Sequence, residues 1–137
     1  MGEPPDPGIR ARGWVEKAEH DLTAAAHLLT LEDRCPFDVV CFHAHQATEK
    51  YLKAILVAKA VDFPRTHDLA LLARHVRSGS SVEIEPGELL SLNRYSTEAR
   101  YPGDWDPITR ADAKQALATA RAIRSVARAH LPESATR

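Results

Sequence analysis

Basic side chains gather near the carboxyl end of the chain. If residues 109–131 form a helix, a rotation of about 100° per residue puts five cations within roughly 80° of arc, namely Arg110, Lys114, Arg121, Arg124 and Arg128. With Asp112 as its only acid, this segment has a charge of +4, so the rest of a chain of net charge −1 has −5. A one-sided positive face suits phosphate, RNA or an acidic partner protein. The alternative is a solvated polar face.

Arg100-Tyr101-Pro102, just before this segment, is a second candidate for phosphate binding. The planar fork of Arg100 suits a phosphate, and Tyr101 and the nearby Trp105 can stack on a base. Alternatively, the two aromatic side chains close one end of the fold and Arg100 pairs with a nearby acid. The predicted phosphate-binding residues are Arg100, Tyr101, Arg121, Arg124, Arg128 and Lys53.

Lys53 belongs to a polar group that begins at Gln46. Glu49, Lys50 and Lys53 follow Gln46 by three, four and seven residues. On a helix, Glu49 and Lys53 form an i,i+4 ion pair in the favourable order. The group could line a nucleotide cleft or a dimer seam, or it could be a solvated face.

His67 and Asp68 have the residue types of a general base and the carboxylate that orients it. The alternative is that Thr66-His67-Asp68 only caps a helix that begins at Thr66. We therefore treat His67 as a candidate and assign no catalytic residue on this evidence.

Metal and cofactor chemistry find little support in the pattern. The seven histidines include no His-x-x-x-His or His-x-x-Glu pair on one predicted helix. The two cysteines, Cys35 and Cys41, suit small buried positions better than catalysis. Because there is no Gly-rich phosphate loop, we expect neither a metal nor a cofactor.

Composition indicates one globular domain. The chain has 137 residues, of which 44% are hydrophobic and 27% charged, and it contains no apolar run of membrane-spanning length. Its near-neutral net charge argues against a protein that coats polyanions. Nucleic acid could therefore bind only at a local basic surface. We expect a reduced, cytoplasmic protein with no membrane contact.

Apolar residues recur at three- and four-residue spacing, the periodicity of amphipathic helices. The pattern predicts five helices, over residues 12–31, over 36–60, from 66, from 86, and over 109–131. Short connections favour antiparallel neighbours. We expect an all-α, up-and-down antiparallel bundle of about five helices over residues 12–131, between flexible tails at 1–11 and 132–137.

Three stretches along these predicted helices resemble the HEPN domain family. They are Gln46-Ala-Thr-Glu-Lys-Tyr-Leu-Lys53, Thr66-His-Asp-Leu69, and Asn93-Arg-Tyr95 followed by Arg100-Tyr-Pro102. The resemblance implies a helical bundle, usually dimeric, and for small prokaryotic members a pairing with minimal nucleotidyltransferases in toxin–antitoxin-like modules. The activities it implies are nucleotide binding and, in a subset, RNA cleavage without a metal.

The cleaving members have an Arg followed by His after four to six residues, and Arg124 and His130 are the one such pair here. They would stabilise a charged transition state and transfer a proton. Six residues, however, place them roughly 120° apart on a straight helix. They converge only if the helix frays or if a second copy supplies one group.

We therefore expect a nucleotide- or RNA-associated accessory protein, forming a homodimer through the long second or the last helix. Its expected partner is a minimal nucleotidyltransferase. Two alternatives stay open: a metal-independent ribonuclease toxin that uses Arg124, His130 or His67, and a non-catalytic assembly module.

Overall fold

The computed structural model describes residues 6–96 and 107–137. In these ranges the chain forms six α-helices and no strand: α1 (Pro7–Leu29), α2 (Phe37–Ala58), α3 (Leu69–Gly79), α4 (Leu90–Asn93), α5 (Arg110–His130) and α6 (Glu133–Thr136). Single 3-10 turns lie at Glu32–Arg34 and Pro86–Leu89. The predicted all-α bundle is confirmed. The predicted site residues Arg100 and Tyr101 lie outside the described residues.

Helix α2 lies at the centre of the bundle. Val40, Ala44, Tyr51 and Ile55, spaced at four and seven residues, are fully buried along it. Helices α1 and α5 pack against it mainly through alanines, whose small side chains allow close helix–helix approach: Ala18, Ala25, Ala113, Ala116, Ala120 and Ala127. Burial of each large apolar side chain contributes about 1.5–3 kcal/mol. No described helix is both long and apolar enough to cross a membrane.

The helix directions follow from a few contacts. Helix α1 is antiparallel to α2, because Lys53 near the end of α2 lies over Trp14 near the start of α1. Helix α5 is parallel to α2, because Arg110 at its start lies over Phe37 at the start of α2. Helices α1 and α2 therefore run in opposite directions, as in an up-and-down bundle, whereas α5 runs in the same direction as α2.

Both predicted tails differ from the structure where it describes them. Helix α1 begins at Pro7 rather than near residue 12, because the Asp6 side chain caps it by accepting the Ile9 N–H. The carboxyl-terminal helix α6 returns to this end, where Ser134 Oγ donates to Asp6 Oδ2 at 2.9 Å and Ala135 is fully buried. The start of α1 thus packs against α6.

The caps of α3 and α5 set where each helix begins. Thr66 was expected to cap the third helix, but Asp68 does so by accepting the N–H groups of Ala70 and Leu71. Thr66 instead accepts the Asp68 N–H in the preceding turn. The capping box predicted for Thr109 and Asp112 is present at the start of α5.

Candidate functional site

Within the described residues, parts of the three sequence stretches that resemble a known family meet in the folded protein, namely residues 46–53, 66–69 and 93–95. Glu49 of α2 binds His67, whose Nδ1 lies 2.7 Å from Glu49 Oε1. Asn93 of α4 accepts the Leu69 N–H at 2.9 Å and donates to Asp68 at 3.0 Å. Polar contacts therefore join α2, the start of α3 and α4 into one network.

Glu49 is the buried centre of this network. Its carboxylate also accepts a hydrogen bond from Lys53 Nζ at 3.1 Å, and both side chains are less than a tenth exposed. The Lys53 ammonium lies 5.5 Å from the centre of the Trp14 ring. Lys53, predicted as a phosphate ligand, is thus held in a buried ion pair with Glu49.

His45 joins the same network from the apolar side. It is fully buried, and its Nε2 lies 3.1 Å from the His67 carbonyl oxygen. Burial lowers the pKa of His45 more than the Glu49 charge raises it. Nε2 is then the protonated donor, and Nδ1 has no hydrogen-bond partner in the described structure.

A second carboxylate lies between α1 and α2. Asp21, which is mostly buried, accepts hydrogen bonds from His43 Nδ1 at 2.8 Å and from Lys50 Nζ at 2.6 Å. These hydrogen bonds join α1 to α2 in addition to the apolar contact between the two helices.

The predicted positive face of α5 is only partly present. Arg110 donates to the Glu32 carbonyl oxygen and lies over Phe37. Arg124 and Arg128 share one carboxylate of α1, since Glu19 accepts from Arg124 Nε at 2.9 and 3.1 Å and from Arg128 Nη1 at 3.2 Å. Of the five cations predicted to share one face of α5, three therefore have a partner within the described structure: Arg110, Arg124 and Arg128. Within the described residues, Lys114 and Arg121 are exposed and lie in no ion pair.

An open groove of about 450 Å³ lies between α1 and α5. Residues from both helices line it: Glu19, Leu22, Thr23, Ala26, Arg121, Arg124 and Ser125. The groove thus brings two of the predicted ligand residues, Arg121 and Arg124, to one surface, and Arg128 reaches the same carboxylate as Arg124.

Glu19 and Tyr51 interact at the inner side of this groove. Partial burial by itself raises the pKa of Glu19. Arg124, the nearby Tyr51 hydroxyl and Arg128 together lower the pKa by more than burial raises it, so the net shift is downward. Burial and the Glu19 carboxylate raise the pKa of the Tyr51 phenol. Although the hydroxyl is close enough to Glu19 for these effects, its geometry completes no hydrogen bond within the described structure.

The other candidate catalytic groups are not brought together. Arg124 turns toward Glu19, whereas the exposed His130 has its Nδ1 3.0 Å from the Val126 carbonyl oxygen of its own helix. His67 is paired with Glu49 and not with Asp68, which caps α3. Within the described ranges, no group of three His, Cys, Asp or Glu residues is placed to hold a metal ion.

A family model for the HEPN domain matches residues 11–130, which is most of the chain. The chain belongs to the HEPN domain family. The match begins inside α1 and ends at the last residue of α5, so it includes both the polar network and the groove. HEPN membership indicates a nucleotide- or RNA-associated role in general terms. Comparison with curated proteins and with solved structures gives no match.

Sequence analysis missed Glu19, which lines the groove, and the buried Tyr51 close to it. In the sequence, Tyr51 follows the apolar spacing of α2 and Glu19 is one of several charged residues of α1. One signal was available for Glu19, since an acid that faces the interior side of an amphipathic helix needs a cation from another helix. The sequence could not identify that cation, because Arg124 lies 105 residues away.

We predict that Glu49→Gln destabilises this HEPN domain by about 3 kcal/mol, because it leaves the buried Lys53 ammonium without its counter-charge. Urea denaturation followed by circular dichroism measures the change. The double variant Glu49→Gln/Lys53→Met removes both charges and should cost less than Glu49→Gln alone. A double variant less stable than either single variant would show that the pair is not a coupled unit.

We also predict that His45 makes the protein acid-sensitive. The folded pKa of His45 lies below its ordinary value of 6.5, so below that pH the unfolded chain binds a proton that the native chain does not. The free energy of unfolding should therefore fall as the pH drops from about 7 to about 5. His45→Gln should reduce this slope, whereas His20→Gln, at an exposed site, should leave it unchanged. Equal slopes for all three proteins would contradict the prediction.

Proposed function

We propose that this HEPN domain is a non-catalytic accessory protein that binds a nucleotide or RNA through the α1–α5 groove. The observation that supports this most directly is Arg121, an exposed cation that lines the groove and lies in no ion pair within the described residues. An unpaired guanidinium keeps its full donor set for phosphate oxygens. Lys114, two turns earlier on α5, adds positive charge on the same side.

The charge arrangement supports a phosphate ligand over a metal or an apolar ligand. The groove has two arginines and one carboxylate among its lining residues, together with the hydroxyls of Thr23 and Ser125. Its net charge is positive although the whole chain has a charge of −1. A local positive field of this kind attracts anions and is weakened by salt.

The proposal includes a minimal nucleotidyltransferase as partner and a homodimer as the assembled form. The family resemblance supports both. For the dimer, α5 is the better of the two helices considered, because thirteen of the twenty-two residues of α2 are already buried within one chain. The proposed role is to present a phosphate-bearing ligand or acceptor site to the partner enzyme.

We predict that Arg121→Glu/Arg128→Glu abolishes or strongly weakens binding of short RNA and nucleotides. Each lost phosphate contact should reduce the slope of log affinity against log salt by about one. Fluorescence anisotropy at several salt concentrations measures both quantities. The matched control is Arg65→Glu/Arg74→Glu, which makes the same charge change at exposed positions outside α5.

If the α5 variant and the control bind equally well, the groove is not the binding surface. If the unaltered protein binds neither ligand but is isolated with a second protein, the assembly-module alternative replaces this proposal.

A second candidate function is metal-independent RNA cleavage, and the Glu49–His67 pair is the observation that favours it. A buried carboxylate that binds His Nδ1 fixes the tautomer in which Nε2 can accept a proton, as in catalytic triads. The His67 side chain is 39% exposed.

We expect RNA to remain intact when it is incubated with EDTA-treated protein, because the Arg124–His130 pair does not converge on one phosphate. Gel analysis of a labelled RNA measures this. Cleavage that persists in EDTA and is lost in His67→Ala, but not in His130→Ala or His20→Ala, would replace the accessory function with a Glu49–His67 ribonuclease. Thermal unfolding of each variant establishes that it is folded.

A further inference from the structure

The Glu19 carboxylate occupies the position in the groove where an external anion would bind. It accepts hydrogen bonds from two guanidinium groups of α5, at 2.9 Å from Arg124 Nε and 3.2 Å from Arg128 Nη1. Arginine uses the same donors for carboxylate and phosphate. The two arginines and the groove around them therefore form an anion site that the protein's own Glu19 carboxylate occupies.

The buried hydroxyl of Tyr51 is an independent indication of a ligand at this site. Tyr51 is fully buried, and its hydroxyl has no hydrogen-bond partner in the described structure. Buried polar groups are almost always paired, since an unpaired one costs about 1–3 kcal/mol. This hydroxyl lies beside Glu19 and Arg124, so an additional acceptor oxygen at the Glu19 position would satisfy it.

A phosphate has more suitable acceptors than the carboxylate it would replace. The two oxygens of the Glu19 carboxylate accept three hydrogen bonds here, two from Arg124 Nε and one from Arg128 Nη1. A terminal phosphate has three peripheral oxygens and a charge of about −1.5 to −2 at pH 7. It can therefore bind Arg124, Arg128 and the Tyr51 hydroxyl together, while Arg121 and the Ser125 hydroxyl lie along the same groove.

Glu19 can leave without unfolding the helix. Its side chain is about one third exposed, and so are those of Arg124 and Arg128. Exposed ion pairs of this kind contribute only about 0.2–1 kcal/mol each. Since Glu19 lies within α1, a rotation of its side chain toward solvent opens the site and leaves the backbone in place.

We propose that Glu19 is an internal competitor for a phosphomonoester, and that the α1–α5 groove is selective for a terminal phosphate on a nucleotide or on an RNA end. This inference rests on the proposed function, because it defines which part of the ligand the groove recognises. The ligand must displace Glu19 to bind, so a weakly charged phosphodiester within a strand competes poorly and a terminal phosphate competes well.

Three probes separate the two sources of terminal phosphate: adenosine 5′-monophosphate, a short RNA with a 5′-phosphate, and the same RNA with a 5′-hydroxyl. Calorimetric titration measures their affinities for the unaltered protein and for Glu19→Gln. The control, Glu83→Gln, removes the same charge from an exposed position outside the groove, where no ion pair engages it within the described structure.

Glu19→Gln should bind the two phosphomonoesters roughly five times more tightly, since the competing ion pairs are lost. Glu83→Gln should match the unaltered protein. Tyr51→Phe should weaken phosphomonoester binding several-fold without lowering the melting temperature, because it removes a buried hydroxyl that has no hydrogen-bond partner in the described structure. If only the RNA with a 5′-phosphate gains affinity, the RNA end is the ligand; if adenosine 5′-monophosphate gains equally, a free nucleotide suffices.

Unchanged affinity in Glu19→Gln, or equal affinity for the RNA with and without its 5′-phosphate, overturns the inference. The proposed function then still stands if binding depends on Arg121. Absence of binding by all three probes to every variant overturns both. A fall in affinity in Glu19→Gln, with a lower melting temperature, would show that Glu19 only supports the groove.

Discussion

The functional interpretation depends on one ion-paired group, in which the Glu19 carboxylate of α1 holds Arg124 and Arg128 of α5. This group joins two helices that are far apart in sequence and defines the groove between them. It also divides the basic residues of α5 into two kinds. Arg124 and Arg128 share one carboxylate, which we propose that a ligand displaces, whereas Arg121 lies in no ion pair within the described residues. The groove is therefore not a uniformly positive surface.

The residues that carry the family resemblance have a different role. Glu49, His67, Asp68 and Asn93 form contacts that fix the start of α3 against α2 and α4. Lys53 is buried beneath Trp14 in the same network. Glu49 and Lys53 are buried, and a buried charge is costly unless it is paired, so we expect these two positions to constrain how α2 packs. The Glu49–His67 pair nevertheless has the geometry of a general base.

Helical periodicity was enough to predict the all-α bundle and most of the helix positions, because the apolar stripes of α1, α2 and α5 are continuous. The capping box at Thr109 was also visible in the sequence. The starts of α1 and α3 differ from the prediction because of local hydrogen bonds. The Asp6 side chain caps α1 at an earlier residue than expected, and Asp68 rather than Thr66 caps α3. The pairings of Glu19 with Arg124 and of Glu49 with His67 depend on contacts between separate helices, and residue spacing within one helix contains no information about them.

The most direct test of the anion site is an NMR titration that follows the arginine side-chain Nε–Hε signals as adenosine 5′-monophosphate is added. The account predicts that the signals of Arg121, Arg124 and Arg128 shift together and saturate at one affinity, because the phosphate replaces Glu19 as their acceptor. Arg74, exposed on α3, should not shift. Signals of the three α5 arginines that stay unchanged while the nucleotide binds elsewhere would contradict the account.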